Sequence, residues 1–166
     1  ILVTGAGGSI GSQLCREIFR YSPERLVMVD RDESALHAVQ LSLDGRAMLD
    51  SPDLILGDLR TPGLIESVFA MPGMGKLLLD AINARDLPLT ERFPEEAFLT
   101  NVAVTQDLLR AAAASEVRRF INISTDKAAD PECVLGYSKR MAERLTSAVG
   151  RTVAEDRRFM SVRFGN

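Results

Sequence analysis

The sequence predicts an α/β domain, a doubly wound parallel sheet flanked by helices, and three observations carry that reading. Short apolar runs alternate with longer amphipathic ones from end to end, as repeated strand, helix, strand units require. The first apolar run breaks into the turn Thr4-Gly5-Ala6-Gly7-Gly8-Ser9-Ile10-Gly11 and then into a helical pattern. Asp30, Asp58, Asp80 and Asp126 all fall near the carboxyl ends of predicted strands, the edge at which such sheets bind ligands.

The elements follow in order. A first strand, Ile1 to Thr4, runs into the glycine turn, and the turn opens a helix from Ser9 to Arg20. The apolar run Arg25 to Val29 is the second strand, with a helix from Ser34 to Leu43 behind it. Leu54 to Leu56 and Lys76 to Leu79 read as the third and fourth strands. The helix Thr61 to Phe69 and the flexible turn Met71 to Gly75 lie between them. A long helix from Pro94 to Ser115 begins with a proline suited to a first turn. Arg119 to Ile123 is the fifth strand, Leu135 to Ala148 the last helix and Phe159 to Arg163 the sixth strand. Internal repeats, low-complexity tracts and linkers are absent from the sequence.

At 166 residues and 46% hydrophobic content the chain is sized for one domain with one core. A net charge of -3 and a pI near 5.3 give no basic surface for nucleic acid. Cys15 lies in a helical pattern and Cys133 in a loop, far apart and without metal-type spacing, so neither a disulfide nor a zinc site is expected. A reducing cytoplasm fits that usage. No apolar run reaches the roughly 20 residues of a membrane span, and no secretory leader pattern is present. Residue 1 already lies inside a strand and the chain stops just after another, so the expectation is a piece of a longer protein.

Gly5, Gly8 and Gly11 form the diagnostic triplet of a dinucleotide-binding turn. Such a turn needs positive backbone torsions, a backbone bare enough for a pyrophosphate, and a final glycine for close helix packing. Amides at the helix entrance, at Ser9 and Ile10, and the helix dipole then favour phosphate. Asp30, ending the second strand, is placed to accept both hydroxyls of an adenosine ribose, which favours NAD. Arg31 beside it is placed to clamp a 2'-phosphate, so NADP stays open. Asp58, in the segment Gly-Asp-Leu-Arg, is placed to accept a hydrogen bond from the adenine amino group, or to serve as a helix cap.

The stretch from Phe120 to Arg140 puts Ser124, Thr125, Asp126 and Lys127 at a strand end and Lys139 on the next helix. With the glycine turn, the GDLRTP segment, residues 88–102 (PLTERFPEEAFLTNV) and the closing SVRFGN, this stretch resembles the extended short-chain dehydrogenase/reductase superfamily. More narrowly the chain resembles the CapD-like polysaccharide biosynthesis proteins, the UDP-N-acetylglucosamine 4,6-dehydratase group. The resemblance implies an NAD(P)-binding Rossmann domain over residues 1–166, lacking its C-terminal substrate-binding part, with a UDP-sugar substrate and a homo-oligomeric assembly. It implies loss of hydride from the sugar C4, elimination of water across C5 and C6, and return of hydride to C6. By position, Thr125 would hydrogen-bond the C4 hydroxyl, Asp126 would protonate the departing C6 hydroxyl, and Lys127 would assist as base at C5. Lys139 would hold the nicotinamide ribose, the alternative being a solvated helix lysine. Leu59, Ala81 and Asn101 join the implied cofactor contacts. The implied location is the cytoplasm, or the cytoplasmic part of a membrane-anchored protein.

Two departures stand out. The superfamily carries a tyrosine four residues before the helix lysine, on the same helix face, and Leu135 has that place here. Tyr137 lies on nearly the opposite side. The large membrane-anchored members of the group share an apolar residue there. After the fourth strand, Asp80 and Asp86 stand where the group has histidines, and Arg85 where it has a lysine; negative charge beside a diphosphate is unfavourable unless paired. A UDP-sugar 4-epimerase or dehydrogenase, and a non-catalytic dinucleotide-binding module, are the competing readings. His37 reads as a surface or packing residue, and Glu91, Glu95 and Glu96 as a solvated helix entrance.

Overall fold

The computed structural model describes residues 1–46, 51–70, 78–80 (backbone), 91 and 93–165. Six strands, β1 (Leu2–Thr4), β2 (Val27–Asp30), β3 (Leu54–Leu56), β4 (Leu78–Asp80), β5 (Arg119–Thr125) and β6 (Arg158–Phe164), form one sheet in the order β3-β2-β1-β4-β5-β6. All five pairings are parallel. Chain order runs outward from β1 in one direction as far as β3, then resumes on the other side of β1 with β4. In sheets of this kind ligands bind where the order reverses, here at the carboxyl ends of β1 and β4.

Helices cover both faces at β1 and β2, which is why those strands read as near-continuous apolar runs, whereas β6 at the edge is largely exposed and alternates with polar residues. On one face Leu2, Val27, Val29 and Phe120 pack with Ile65 and Val68 of α3 (Leu64–Phe69) and Leu108 of α5 (Val104–Ala114). On the other, Val3 and Met28 pack with Cys15 of α1 (Ser9–Phe19) and with Leu36 and Val39 of α2 (Glu33–Asp44). The one-residue shift between Leu2 and Val3 is the strand period of two at work. Cys15 and Cys133 are both free, and burial pushes the Cys15 thiol up to about 12, which makes it an inert core residue.

Two predicted boundaries moved for local reasons. Helix α3 begins at Leu64, because Gly63 at its N-cap takes a left-handed φ of 82° that breaks the helical path from Thr61. The predicted helix Pro94 to Ser115 is a continuous path in three parts. It comprises α4 (Pro94–Phe98), a π-helical segment (Leu99–Ala103) and α5. A widened turn inside a helix commonly marks a functional position, and Asn101 lies within this one. The predicted strand at Lys76 is seen as Leu78–Asp80, and the turn from Met71 to Gly75 lies outside the described residues.

Arg157 ties the far end together. Its guanidinium donates to the carbonyls of Ala112, Ala113 (3.0 Å) and Val117 (2.7 Å), and it lies 5.1 Å over the ring of Phe159. Carbonyls near the end of α5 that lack helical partners thereby find a cation.

Candidate active site

The glycine turn is held by its own backbone and by β2. Gly5 has φ 61°, and its carbonyl accepts from Gly8 N at 3.0 Å. Gly8 is the N-cap of α1 in an extended conformation (φ -66°), so the positive torsion expected of the triplet is met at Gly5. Gly11 is required by space: a Cβ there would stand 2.0 Å from the Gly5 carbonyl oxygen. Gly7, which the triplet pattern passes over, is as constrained. Its Cβ would meet Ala35 Cβ at 2.6 Å, and its amide donates to Asp30 Oδ2 at 2.7 Å. Ser9 is exposed and Ile10 half-buried in the first turn of α1, where amides lack a carbonyl one turn back. The side chain-free turn and open helix end suit a dinucleotide diphosphate.

Asp30 is half-buried and doubly committed, because Oδ1 also accepts from Asp32 N at 2.9 Å. Each carboxylate oxygen so bonded keeps further acceptor capacity. Arg31 is exposed, with Nη1 4.0 Å from Asp58 Oδ2. Arg60 supplies four contacts to Asp58: N and Nε to Oδ1 at 3.0 Å each, and Nε and Nη2 to Oδ2 at 2.9 and 2.5 Å. These bonds, with the Arg60 charge, outweigh burial and hold the Asp58 carboxyl below its ordinary 3.8. Asp58 is not the cap of α3, whose N-cap is Gly63. Leu59 follows it, partly buried against the core.

At the end of β5, Thr125 is buried and Asp126 and Lys127 turn into a short 3-10 helix (Asp126–Ala128). Asp126 Oδ1 accepts from two donors, Thr125 Oγ1 at 2.9 Å and Lys127 N at 2.8 Å, and pairs in charge with Lys127 Nζ at 3.6 Å. The Asp126 side chain remains half exposed, at 51%, facing outward from the strand end. Lys139 lies on α6 (Val134–Gly150) and is 1% exposed, its Nζ donating to the Ile123 carbonyl at 3.0 Å. A solvated lysine is thereby excluded. Leu135, one turn earlier, is 2% exposed, whereas Tyr137 is 59% exposed; the helix buries Leu135 and Lys139 together and turns Tyr137 away.

Asn101 is buried, and its Nδ2 donates to Ser138 Oγ at 3.0 Å, joining the π segment to α6 beside Lys139. Its Oδ1 is buried without a hydrogen-bond partner, an uncompensated acceptor on the segment that Nδ2 ties to α6. Glu91 is exposed, and its Oε1 also accepts from Val134 N at 2.5 Å at the start of α6, whose N-cap is Cys133. Glu95 and Glu96 stand exposed in the first turn of α4, where Glu96 also pairs with Arg60. Behind the site, Arg163 grips Glu143 with two bonds of 2.7 Å. Ser124 Oγ is buried beside the same carboxylate without a bond of proper geometry, so the Arg163 fork carries the pairing. Ala81, Arg85 and Asp86 lie outside the described residues, and Asp80 is described by its backbone alone. The Arg60 bonds to Asp58 and Glu96, the tight fit of Gly7 against Ala35 and that of Gly136 against the Lys127 carbonyl are the features that sequence reasoning missed.

Fold and site together define a nucleotide-binding domain of the short-chain dehydrogenase/reductase kind. The comparisons narrow this: the profile of the family described as polysaccharide biosynthesis protein matches residues 1–166, and the chain belongs to that family. The probable polysaccharide biosynthesis protein EpsC of Bacillus subtilis is 32% identical over 168 residues, covering all of this chain and 27% of EpsC. Among solved structures, Pen from Bacillus thuringiensis superposes with a TM-score of 0.84 at 27% identity, covering 99% of this chain and 50% of Pen. MoeE5, solved with UDP-glucose and NAD, gives 0.68 at 25% identity, covering 99% of this chain and 52% of MoeE5. The chain thus spans about a quarter of the curated relative and half of each solved one. Among the described residues no helix is long and apolar enough to cross a membrane.

Proposed function

We propose that this chain is the NAD-binding part of a nucleotide-sugar 4,6-dehydratase acting on a UDP-N-acetylhexosamine in polysaccharide biosynthesis. One observation carries the reading. Thr125, Asp126 and Lys127 converge at the end of β5 while the buried Lys139 is anchored to the same strand through Ile123, and Leu135 fills the place of a phenol. NAD, the cofactor seen in MoeE5 and favoured by Asp30, would take up the sugar C4 hydride and return it at C6.

The residues divide the remaining work. The Thr125 hydroxyl donates to Asp126, which leaves its oxygen lone pairs to accept from the sugar C4 hydroxyl. As hydride leaves C4, the C4 hydroxyl proton would pass through the Thr125 hydroxyl to the Asp126 carboxylate. The acid so formed would protonate the departing C6 hydroxyl, and Lys127 in its neutral form would take the C5 proton and return it to C5 as hydride arrives at C6. Lys139, held against a strand carbonyl, lends positive charge where the nicotinamide ribose would lie. With Leu135 in the tyrosine's place, proton handling falls to the strand-end trio.

Incubation of the full-length protein with UDP-N-acetylglucosamine and NAD, read by mass spectrometry, tests this. Loss of one water is expected, and Asp126→Asn or Lys127→Met abolishes it while NAD still binds. Unchanged mass with an inverted C4 would establish the epimerase reading. NAD binding without turnover of any UDP-sugar would establish the non-catalytic module.

A further inference from the structure

Arg140 follows Lys139 on α6 and reaches the far end of the turn that carries Asp126 and Lys127. Its Nη1 donates to the carbonyl of Ala128, the buried last residue of that turn, at 3.3 Å. Lys139 Nζ holds the Ile123 carbonyl before the turn. Two consecutive cations of one helix thus bond the carbonyls that bracket Thr125, Asp126 and Lys127. Thr125 still lies in the ladder between β5 and β6, opposite Phe164. Lys127 lies beyond that ladder, so its placement rests on the turn's own bonds and on α6. Gly136, one helical turn before Arg140 and on the same face, leaves no space for a Cβ beside the Lys127 carbonyl.

Arg140 is itself aimed by a brace. Its Nη1 lies 3.8 Å from Glu143 Oε2, and Arg163 fixes that carboxylate with two bonds of 2.7 Å. Arg163 pairs in register with Ser124, the residue before Thr125. The contacts therefore run from β6 through Glu143 and Arg140 to Ala128, and close on the strand from which the turn leaves. At 38% exposure and that separation, the pair with Glu143 adds little stability. Its effect is directional, because a planar guanidinium fork offers hydrogens to a carbonyl and a carboxylate along fixed lines.

We propose that Arg140 is a positioning residue that sets the Lys127 amine against C5 of the sugar, with Glu143 and Arg163 as its brace. The proposal rests on the dehydratase reading above. Loss of Arg140 then separates the steps of the reaction. Hydride still leaves C4, served by Thr125 at the strand end, while removal of the C5 proton by neutral Lys127, and with it loss of the C6 hydroxyl as water, slows.

The test uses the full-length protein with NAD and UDP-N-acetylglucosamine. Arg140→Met, which keeps the stem, should lower kcat for water loss roughly ten- to a hundredfold, as expected for a shift near 1 Å at a reacting group. KM should stay within about threefold. Reduced cofactor should accumulate during turnover, seen by its near-ultraviolet absorbance, and Arg140→Lys, which still donates to one carbonyl, should recover part of the rate. Amide exchange read by mass spectrometry follows the turn without catalysis: residues 126–130 should exchange about threefold faster or more in Arg140→Met, with β1 and α1 unchanged. An unchanged kcat, or unchanged exchange at the turn, would overturn the proposal. So would a fall in kcat without accumulation of reduced cofactor, which places the defect before C5. Wild type that removes no water from the sugar would sink the dehydratase reading itself, a failure distinct from these, and exchange at the turn would still decide whether Arg140 holds it.

Discussion

Gly136→Ala isolates how the site is positioned. Gly136 stands in the first turn of α6, and a Cβ there would lie 2.6 Å from the Lys127 carbonyl oxygen and 3.1 and 3.2 Å from Pro131 Cβ and Cα. Two of those atoms are backbone, so rotamer changes cannot relieve the contact. Reaching ordinary separation opens the gap between α6 and the Asp126–Lys127 loop by roughly 0.5–1 Å. Two stability effects oppose each other: alanine gains up to about 1 kcal/mol in helix propensity, and overpacking costs about 1–3 kcal/mol. The net is a loss of about 0–2 kcal/mol, a fall of a few degrees in Tm at most. Activity is far more sensitive, because a shift near 1 Å at reacting groups costs about a hundredfold. The full-length variant should therefore lose roughly ten- to a hundredfold in kcat for water loss, with a small fall in Tm and NAD affinity within about threefold. An unchanged kcat with a raised Tm would mean the methyl fits and the catalytic loop is not indexed to α6, which refutes the reasoning.

Three further outcomes follow from other contacts. Gly11→Ala puts a methyl 2.0 Å from the Gly5 carbonyl, backbone against backbone, and should abolish NAD binding in titration even where folded protein is recovered. Arg157→Met removes the bonds to Ala112, Ala113 and Val117 and the charge over Phe159, and should lower stability in urea by about 2–4 kcal/mol; a change under about 0.5 kcal/mol would show that water replaces the bonds. Burial would raise the Glu143 carboxyl, but Arg163, with Arg140, holds it below its ordinary 4.5. A depressed folded value gives stability that is present above 4.5 and lost as pH falls through that lower value. Glu143→Gln should therefore be less stable than wild type at neutral pH, with the gap closing below 4.5 in acid titrations followed by circular dichroism. A gap independent of pH would assign the effect to packing.

Much of the fold was legible because it repeats a local signal. Apolar runs of strand length located β1, β2, β3, β5 and β6, and Asp30 and Asp126 were correctly set at or just beyond the ends of β2 and β5. The glycine turn was legible for the same reason, since backbone approach and torsion leave a direct trace in residue type. Gly7 escaped because its constraint comes from Ala35 on another element, not from the turn's own path. The π segment escaped as well. Its residues, Leu99 to Ala103, are helix-compatible, and one added residue per turn leaves no mark on composition.

The partners of the ionisable groups were the least legible part, and the reason is geometric. Arg60 meets Glu96, Glu91 meets Val134 and Arg163 meets Glu143 over separations of 36, 43 and 20 residues, distances that no local period encodes. Sequence position put Asp58, Lys139 and Glu91 near the right edge of the sheet, but their chemistry depends on which cation, carbonyl or amide the crossovers bring alongside. Lys139 illustrates the limit. Helical spacing placed it one turn from Leu135, while its burial against the Ile123 carbonyl follows from α6 packing on β5. In the proposed reaction a lysine so buried would fix charge, and the proton transfers would fall to the half-exposed Asp126 and its neighbour Lys127. The absence of a tyrosine at Leu135 is then coherent with the rest of the site. A phenol on the buried face would duplicate, beside an immobile lysine, the proton work that the strand end is arranged to do.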